Sequence, residues 1–377
     1  MGIYDSNIKR DVDALNNLLK GIKPTKSVSR YPSQQIFYGA PGTGKSNTIR
    51  REVDEKGKTN YRVTFHPDSD YSTFVGTYKP TMKESIIAKD GVETKEEQIV
   101  YRFVPQAFTK AYIKAWKTDE DVFLIVEEIN RGNCAQIFGD LFQLLDRKNG
   151  VSEYPVDADS DLTGYICKEL ANSERDDIPI EVKNGTKLIL PSNLYIWATM
   201  NTSDQSLFPI DSAFKRRWEW KYMKIKNEGK EWKIDVKIKD ANGEEKLVDW
   251  WDFIHKVNDI IASMTSSADK QLGYFFCKAD KKTQEKASEQ NSENNLISVD
   301  TFVSKVLFYL WNDVFKDYGF EDASLFQYTK TEDGKETKKD LTFPDFYKED
   351  SNDVNPTAVT DFVQKVMNWK KKEEEKN

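Results

Sequence analysis

A glycine-rich stretch, Gly39-Ala40-Pro41-Gly42-Thr43-Gly44-Lys45-Ser46, identifies the fold class of this chain. It is a complete G-x-x-x-x-G-K-S motif that follows the apolar run Gln35–Tyr38 and opens a helical pattern at Asn47. In such a strand–loop–helix unit the glycines let backbone N–H groups surround phosphate oxygens, and the helix N-terminus adds partial positive charge. The motif therefore predicts that residues 39–47 bind a nucleoside triphosphate, with Lys45 at the β- and γ-phosphates and Ser46 as a ligand of Mg²⁺.

Composition and charge narrow the class of protein further. The 377 residues carry a net charge of −7, which argues against a strongly basic DNA-coating protein. Three widely spaced cysteines without a C-x-x-C pair, and only two histidines, argue against a disulfide framework and a zinc site. No apolar run approaches about 18 residues and the start lacks a signal-peptide pattern, so we expect a cytoplasmic protein with no membrane partner.

The region from Tyr31 to Trp220 alternates short apolar runs with helical patterns. This alternation is typical of βαβ units and predicts an α/β core with a mostly parallel sheet. The clearest predicted strands are Gln35–Tyr38, Asn60–Phe65, Val122–Val126 and Leu194–Thr199. After Trp250 the pattern predicts a second, mainly helical domain, with helices over Trp251–Met264, Val299–Phe315 and Thr357–Trp369.

Pairs of a turn residue followed by glycine predict β-hairpins that interrupt these patterns. The predicted hairpins are Ser85–Val104 with Asp90-Gly91 at the turn, Ile178–Leu190 with Asn184-Gly185, Trp232–Trp250 with Asn242-Gly243, and a fourth at Asp333-Gly334. Together the patterns predict an N-terminal helical segment (1–29), a nucleotide-binding core (30–225) with hairpin insertions near 85–104 and 178–190, a hairpin insertion (226–250), a mainly helical lid (251–369) and a charged tail (370–377).

A second strand supplies the carboxylates that a phosphate cradle needs. Five consecutive apolar residues, Val122–Val126, suit a central parallel strand and lead directly into Glu127 and Glu128. We expect Glu127 to hold Mg²⁺ together with Ser46, and Glu128 to orient or deprotonate the attacking water.

Further polar groups follow along the chain. The strand Leu194–Thr199 leads into Met200-Asn201-Thr202-Ser203-Asp204, where Asn201 either contacts the γ-phosphate or serves as a turn residue. Asp204 is another candidate catalytic residue in the same stretch. Arg216 and Arg217 end a short helical pattern, where a guanidinium either reaches a neighbouring subunit's nucleotide or complements the helix dipole.

The order of these motifs resembles the AAA+ module of the McrB family over roughly residues 30–220. The motifs are Gly39–Ser46, Glu127-Glu128-Ile129-Asn130-Arg131-Gly132-Asn133, Met200-Asn201-Thr202-Ser203-Asp204 and Phe214-Lys215-Arg216-Arg217. Phe65-His66-Pro67 is similar to the segment after the family's second strand, and Gln271-Leu272-Gly273-Tyr274-Phe275 is similar to part of its lid. Two positions depart from the family pattern, with Glu127 in place of Asp and Gln205 in place of Arg.

The resemblance implies a GTP-hydrolysing, homo-hexameric ring that drives DNA translocation and cleavage with a separate McrC-type nuclease subunit. It also implies that Arg216 or Arg217 of a neighbouring copy completes each site, with Arg131 near that interface. Only about 30 residues precede the core, so we expect DNA recognition in a partner, in the lid or in an insertion. The choice of GTP over ATP rests on the resemblance alone, because no N-K-x-D type base reader is evident.

Three alternatives stay open at this point. An ATP-dependent remodeller of the MoxR or dynein-related kind shares the same core, and a nucleotide-regulated scaffold would bind nucleotide with little hydrolysis. Glu181-Val182-Lys183, with Asp157 or Asp159 upstream, has the E-x-K form of a nuclease metal site, although the predicted hairpin explains the same residues. We therefore expect no nuclease site in this chain. The alternating apolar residues and lysines of Trp232–Lys239 favour a solvated strand face over a phosphate contact.

Overall fold

The computed structural model describes residues 31–89, 92–173, 175–203, 208–239, 242–265, 268–279, 295–316, 325–332 and 335–370. The predicted N-terminal helix, Asp204, Gln205 and the tail beyond Lys370 lie outside the described residues. Contacts group the described residues into two compact units. The first unit holds residues 31–38, 46–200 and 208–222, and the second holds residues 39–45, 201–203 and 223–370.

Short strands alternate with helices along the chain. The strands are β1 (Gln34–Gly39), β2 (Thr59–Thr64), β3 (Gly76–Lys89), β4 (Val92–Pro105), β5 (Val122–Glu127), β6 (Arg147–Lys148), β7 (Val151–Ser152), β8 (Val156–Asp157), β9 (Lys187–Leu188), β10 (Leu194–Asn201), β11 (Glu219–Tyr222), β12 (Lys233–Lys239), β13 (Glu245–Asp249), β14 (Leu296–Ile297), β15 (Gln327–Glu332) and β16 (Lys335–Asp340). The α-helices are α1 (Lys45–Glu52), α2 (Tyr71–Phe74), α3 (Ala107–Lys117), α4 (Cys134–Phe138), α5 (Ser160–Leu170), α6 (Ile180–Lys183), α7 (Ser212–Lys215), α8 (Trp250–Thr265), α9 (Val299–Thr301) and α10 (Pro356–Asn368). Short 3₁₀ helices lie at Ile129–Arg131, Gly139–Leu145, Tyr274–Phe276 and Phe343–Phe346, and π-helical turns lie at Phe302–Leu307 and Leu310–Phe315.

A five-stranded sheet in the order β11-β1-β10-β5-β2 forms the centre of the first unit. Strand β11 runs parallel to β1, and β5 runs parallel to both β10 and β2, which confirms the predicted mostly parallel sheet. The four predicted strands all belong to it, each within two residues of its predicted bounds. Residues 122–126 of β5 are fully buried, as expected for a central parallel strand covered on both faces.

Three of the predicted hairpins are present as antiparallel pairs. Lys89 pairs with Val92 in the β3–β4 ribbon, and Glu332 pairs with Lys335 in β15–β16. Lys239 pairs with Glu245 in β12–β13. In each case the dipeptide that ends in glycine falls between the paired residues, so a short-range turn signal was sufficient to predict them.

The predicted hairpin over residues 178–190 is wrong. Residues 180–183 form the single-turn helix α6, and β9 pairs with β8 instead. Gly185, with φ of +71°, ends that helix and lets the N–H of Thr186 donate to the carbonyl of Glu181 at 2.9 Å. A helix terminus and a hairpin turn both need a residue at positive φ, so the Asn184-Gly185 pair alone does not separate them.

The second unit has its core around strand β12, which lies between β13 and β14. Ile234, Val236 and Ile238 of β12 are buried, while the residues between them are exposed, as the alternation predicts. Helices α8 and α10 and the helical stretch from Val299 to Phe315 contribute most of the remaining core. The three helices predicted for this part of the chain are therefore present.

Candidate nucleotide-binding site

The predicted phosphate-binding loop joins β1 to α1. Gly39, Gly42 and Gly44 have positive φ angles of +147°, +78° and +82°, which residues with side chains rarely adopt. The ammonium of Lys45 is buried within the loop and donates to the carbonyls of Gly39 and Ala40 at 2.9 Å each. The loop therefore has the curved backbone and the inward lysine that phosphate binding requires.

A short segment of the second unit lies directly on this loop. The N–H groups of Gly273 and Phe275 donate to the carbonyls of Pro41 and Gly42 at 2.8 Å each. A Cβ on Gly273 would lie 2.5 Å from the backbone nitrogen of Thr43, so only glycine fits at this position. The stretch that resembles the family's lid, residues 271–275, thus contacts the predicted phosphate-binding loop through its backbone.

Ser46, the residue after Lys45, meets the acid-bearing strand. Its hydroxyl donates to Oε2 of Glu127 at 2.9 Å. The same oxygen accepts from Oγ1 of Thr199 at 2.5 Å, and the other carboxylate oxygen accepts from Nη1 of Arg62 at 2.5 Å. Three donors from three different elements therefore fix the carboxylate of Glu127 beside the hydroxyl of Ser46.

The hydroxyl oxygen of Ser46 and the carboxylate oxygens of Glu127 are suitable ligands for a magnesium ion. Mg²⁺ in a nucleotide site is usually held by one or two protein oxygens, with phosphate oxygens and waters completing its coordination. Ser46 and Glu127 offer such a pair of hard ligands in contact with each other. No group of three or more His, Cys, Asp and Glu side chains in the described part of the chain is placed to hold a metal alone. With two protein oxygens, Ser46 and Glu127 would leave the remaining positions of a bound Mg²⁺ to phosphate oxygens and waters.

Glu128 lies where β5 turns into a 3₁₀ helix. Its backbone is left-handed, with φ of 54° and ψ of 51°, and its N–H donates to Oγ1 of Thr199 at 3.1 Å. Its carboxylate lies 3.9 Å from Nε of Arg131. A left-handed glutamate is an uncommon and costly conformation, and such residues cluster at functional sites. The backbone turn gives Glu128 a different direction from Glu127 although the two are adjacent.

Gly132 brings two of the resemblance motifs together. A Cβ on Gly132 would lie 2.5 Å from Cδ1 of Ile137 and 3.2 Å from Cβ of Phe65. The glycine of E-I-N-R-G-N therefore allows the chain to pack closely against Phe65 of the F-H-P segment and against Ile137. Next to it, the buried thiol of Cys134 donates to the carbonyl of Ile129 at 3.3 Å. Burial raises the pKa of this thiol to about 12.

The stretch after β10 reaches the phosphate-binding loop as well. Asn201 is the last residue of β10, and the N–H of Thr202 lies 3.5 Å from the carbonyl oxygen of Gly39. This contact places the chain next to Asn201 beside the first glycine of the loop. Asp204 lies outside the described residues, so its role stays a prediction from the sequence.

The two candidate arginines differ in their contacts. Arg217 donates from Nη2 to Asp146 at 2.5 Å and from Nη1 to the carbonyl of Ala213 at 2.9 Å, and its side chain is 8% exposed. Its guanidinium carbon lies 3.8 Å from the centroid of the Phe142 ring. Arg216 is exposed, and no hydrogen bond or ion pair of its side chain is found among the described residues.

Three residues of the site escaped the sequence analysis. Arg62 and Thr199 hold Glu127, and Asp146 holds Arg217. Thr199 left a weak signal, since it is a polar residue at the end of an otherwise apolar and aromatic run. Arg62 left none, because the strand around it, Thr59–Thr64, is already mostly polar. Asp146 left none, because its partner lies 71 residues away and only the fold brings them together.

Comparison with known proteins agrees with this geometry. The family described as AAA domain (dynein-related subfamily) matches residues 34–218. The chain is 40% identical over 330 residues to the "Type II restriction enzyme BsuMI component YdiS" of Bacillus subtilis (strain 168), covering 81% of this chain and 88% of that protein. It is 28% identical over 190 residues to the "Type IV methyl-directed restriction enzyme EcoKMcrB subunit" of Escherichia coli (strain K12), covering 49% of this chain and 34% of that protein. The solved structure of a "putative ATPase" from Cytophaga hutchinsonii ATCC 33406 is 16% identical to this chain, with a TM-score of 0.28. The match covers 60% of this chain and 53% of that protein.

The fold and the site define a P-loop nucleoside triphosphatase of the AAA+ class. Within that class, the chain belongs to the McrB-like AAA+ subunits of restriction systems, as its match to most of the Bacillus protein shows. The resemblance found in the motifs is therefore confirmed. Among the described residues, no helix is both long and apolar enough to span a membrane.

Proposed function

We propose that this chain is the motor of a restriction system, a homo-hexameric ring that hydrolyses GTP and drives DNA translocation and cleavage by a McrC-like nuclease subunit. The observation that carries the proposal is the 2.9 Å contact between Ser46 and Glu127, which joins the phosphate-binding loop to the acid-bearing strand. The motor core spans residues 30–225 and the lid spans residues 251–369. The nuclease site belongs to the partner.

The residues of the site divide the work of phosphoryl transfer to water. The loop from Gly39 to Asn47 binds the phosphates, with Lys45 at the β- and γ-phosphates. Ser46 and Glu127 hold Mg²⁺, which neutralises charge on the phosphates when it is bound. Glu128 orients the attacking water and accepts its proton, and Asn201 and Asp204 act beside the γ-phosphate. An arginine of a neighbouring copy stabilises the charge that develops on the transferred group.

The names of the two relatives support an assembly with partners. One is a component of a Type II restriction enzyme, and the other is a subunit of a Type IV methyl-directed restriction enzyme. A McrC-like nuclease is the partner that the family implies, and DNA is the substrate of the assembly, bound by this chain or by that partner. Only the second of these names specifies a methyl-directed enzyme, so we propose cleavage assays on methylated and unmethylated DNA in parallel.

A second candidate is an ATP-dependent remodeller of protein complexes. The observation that favours it is the match of residues 34–218 to the dynein-related subfamily of AAA domains. The P-loop and the acid-bearing strand serve either function equally, because both use the same hydrolysis chemistry. Nucleotide preference and the identity of the partner separate the two.

The test is mass photometry of the purified chain with Mg²⁺ and a slowly hydrolysed analogue of GTP or of ATP. Released phosphate is measured in parallel samples that contain GTP or ATP. Glu128→Gln is the matched variant, because it keeps the binding residues and removes the carboxylate that accepts the proton. We expect hexamers only with the guanine analogue, GTP hydrolysis by the wild type, and hexamers without hydrolysis for the variant.

Three results would contradict this proposal. Hexamer assembly and steady hydrolysis that are selective for ATP favour the remodeller. Full hydrolysis by Glu128→Gln removes the proposed water-orienting role of that residue. Nucleotide binding without any hydrolysis by the wild type indicates a nucleotide-regulated scaffold.

A further inference from the structure

Strands β3 and β4 form a long ribbon that is a sheet of its own within the first unit. They pair over all 14 residues of each strand, from Gly76 opposite Pro105 to Lys89 opposite Val92. At about 3.3 Å per residue the ribbon is roughly 45 Å long. Near its base, the ring of Phe103 lies 5.1 Å from that of Tyr165 in α5. The ribbon is therefore anchored at one end and long enough to contact a second molecule.

The register divides the side chains of the ribbon between two faces, because residues directly opposite each other share a face and successive residues alternate. One face is apolar, and its exposed members are Tyr78, Met82, Ile99 and Tyr101. The other face, which we call the cationic face, carries the pairs Lys79–Arg102, Thr81–Val100 and Lys83–Gln98. The side chains of Lys79, Lys83 and Arg102 are all exposed.

The pairing of Lys79 with Arg102 places two positive charges directly opposite each other. Like charges in this arrangement destabilise a strand pair. Within the described part of the chain, the side chains of Lys79, Lys83 and Arg102 have no ion pair or hydrogen bond. The described residues of the cationic face include no acidic side chain. A polyanion along this face would relieve the repulsion and would meet no negative charge there.

Strand β12 of the second unit provides a contrast within the same chain. It also exposes three lysines, Lys233, Lys237 and Lys239. Here Asp249 lies opposite Lys233 and Glu245 lies opposite Lys239. These acids compensate the lysines, as expected for a strand face in contact with water alone. The cationic face of the ribbon lacks this compensation although the whole chain has a net charge of −7.

We propose that the cationic face of the β3–β4 ribbon binds the phosphate backbone of duplex DNA. The inference rests on the proposed function, in which DNA is the substrate of the assembly, and deepens it by assigning a DNA contact to this chain. A two-stranded ribbon fits the major groove of B-DNA, which is about 12 Å wide. Lys79 and Lys83 lie about 13 Å apart along the ribbon, a length over which one DNA strand presents about four phosphates. Such contacts hold the duplex without reading its sequence.

The experiment measures the affinity of the full chain for a fluorescently labelled duplex of mixed sequence, by anisotropy over about 50 to 200 mM salt. The test variant combines Lys79→Gln, Lys83→Gln and Arg102→Gln, which removes three charges and keeps polar side chains. We expect the plot of log affinity against log salt to become shallower by about 3 for each ribbon in contact with the duplex. At about 0.1 M salt the affinity falls by about 100-fold or more.

Controls separate this contact from a general effect of charge or folding. Arg102→Lys keeps the charge and therefore the wild-type salt dependence. Combining Lys233→Gln, Lys237→Gln and Lys239→Gln makes the same change in net charge on β12 and leaves DNA affinity unchanged. The melting temperature of the test variant equals or slightly exceeds that of the wild type, because the variant loses a like-charge pair. Its nucleotide hydrolysis without DNA is unchanged, since the ribbon carries none of the proposed nucleotide-site residues.

Two outcomes with the variants would overturn the inference. One is wild-type affinity and salt dependence for the test variant. The other is an equal loss of affinity for the β12 variant, which would show that only net charge matters. Met82→Ser combined with Ile99→Ser probes the apolar face. If this variant loses DNA binding while the test variant keeps it, the cationic face is not the contact and the apolar face belongs to an interface.

The wild type separates this inference from the proposed function. If the chain assembles and hydrolyses nucleotide but binds no DNA, only this inference fails, because the partner then supplies the DNA contact. If the chain neither assembles nor hydrolyses nucleotide, yet binds DNA and loses that binding in the test variant, the proposed function fails and the DNA contact of the ribbon stands.

Discussion

The hydroxyl of Ser46 donates to Oε2 of Glu127 at 2.9 Å, although the two residues lie 81 positions apart in the chain. The McrB pattern has Asp at the position of Glu127, and the longer side chain still reaches the serine of the phosphate-binding loop. Thr199 and Arg62 hold the same carboxylate from two other strands. The contact therefore depends on the parallel sheet, which brings β5 beside β10 and β2.

Removing the hydroxyl of Ser46 tests its role as a magnesium ligand. Ser46→Ala is expected to lower kcat by about 100-fold and to raise the Mg²⁺ concentration at half-maximal rate, because it removes one ligand and one donor to Glu127. Ser46→Thr keeps the hydroxyl and most of the activity. Phosphate release measured across a Mg²⁺ titration checks this, with Ser72→Ala as the control. An unchanged titration curve for Ser46→Ala would exclude the serine as a ligand.

Replacing Arg62 tests whether its hydrogen bond to Glu127 orients that carboxylate for metal binding. Arg62→Ala is expected to lower the rate, or the affinity for Mg²⁺, by about 10- to 100-fold, the usual effect of losing a group that orients a metal ligand. The reason is that Glu127 loses one of its three donors while keeping its charge. Lys58→Ala breaks a surface ion pair with Asp121 and serves as the control. Equal rates for both variants would show that Ser46 and Thr199 orient Glu127 without help.

Ser46 and Asp146 show which site residues the sequence predicts and which only the folded structure reveals. The phosphate-binding loop and the acid-bearing strand are local patterns, so their element types and the order of the chemistry follow from residue spacing. Asn184-Gly185 was misassigned because a helix end and a hairpin turn share the same backbone requirement. Arg62 and Asp146 are recognisable only through partners brought near by folding. The contact between Arg217 and Asp146 is likewise invisible in the sequence, because the two residues lie 71 positions apart.

The left-handed backbone of Glu128 predicts that a glycine variant at this position is more stable than an alanine variant. Glu128→Gly is expected to be about 1 kcal/mol more stable than Glu128→Ala, because glycine adopts φ of 54° without the cost that alanine incurs. Both variants lose hydrolysis, since both lose the carboxylate. Urea unfolding measures the difference. Asn149 has the same φ, so Asn149→Gly and Asn149→Ala should repeat the order of stability with hydrolysis intact. If alanine equals glycine at 128, the conformation carries no strain.

Cys134 predicts a loss of stability at alkaline pH. Burial raises its pKa from 9 to about 12, so the thiol stays protonated in the folded chain while it ionises in the unfolded chain above pH 9. Its contribution to stability is complete below pH 9 and falls as the pH rises towards 12, by about 1.4 kcal/mol per pH unit. Urea unfolding of the wild type and of Cys134→Ser at pH 8 and pH 10 isolates this difference. In the folded wild type at pH 8 without urea, iodoacetamide should label exposed Cys167 and spare buried Cys134. Rapid labelling of Cys134 would contradict its burial.

Gly273 provides a test of the contact between the lid segment and the phosphate-binding loop. Its φ of −82° is ordinary, so Gly273→Ala disturbs the chain only through its methyl group, which would lie 2.5 Å from the carbonyl oxygen of Gly42. We expect a destabilisation of about 1–3 kcal/mol, together with weaker nucleotide binding, because the loop loses the two hydrogen bonds from Gly273 and Phe275. Thermal unfolding and titration with a fluorescent nucleotide measure both effects. Gly164→Ala, where a methyl group meets no neighbouring atom within 4 Å, is the control. Wild-type stability and affinity for Gly273→Ala would mean that the segment can leave the loop at no cost.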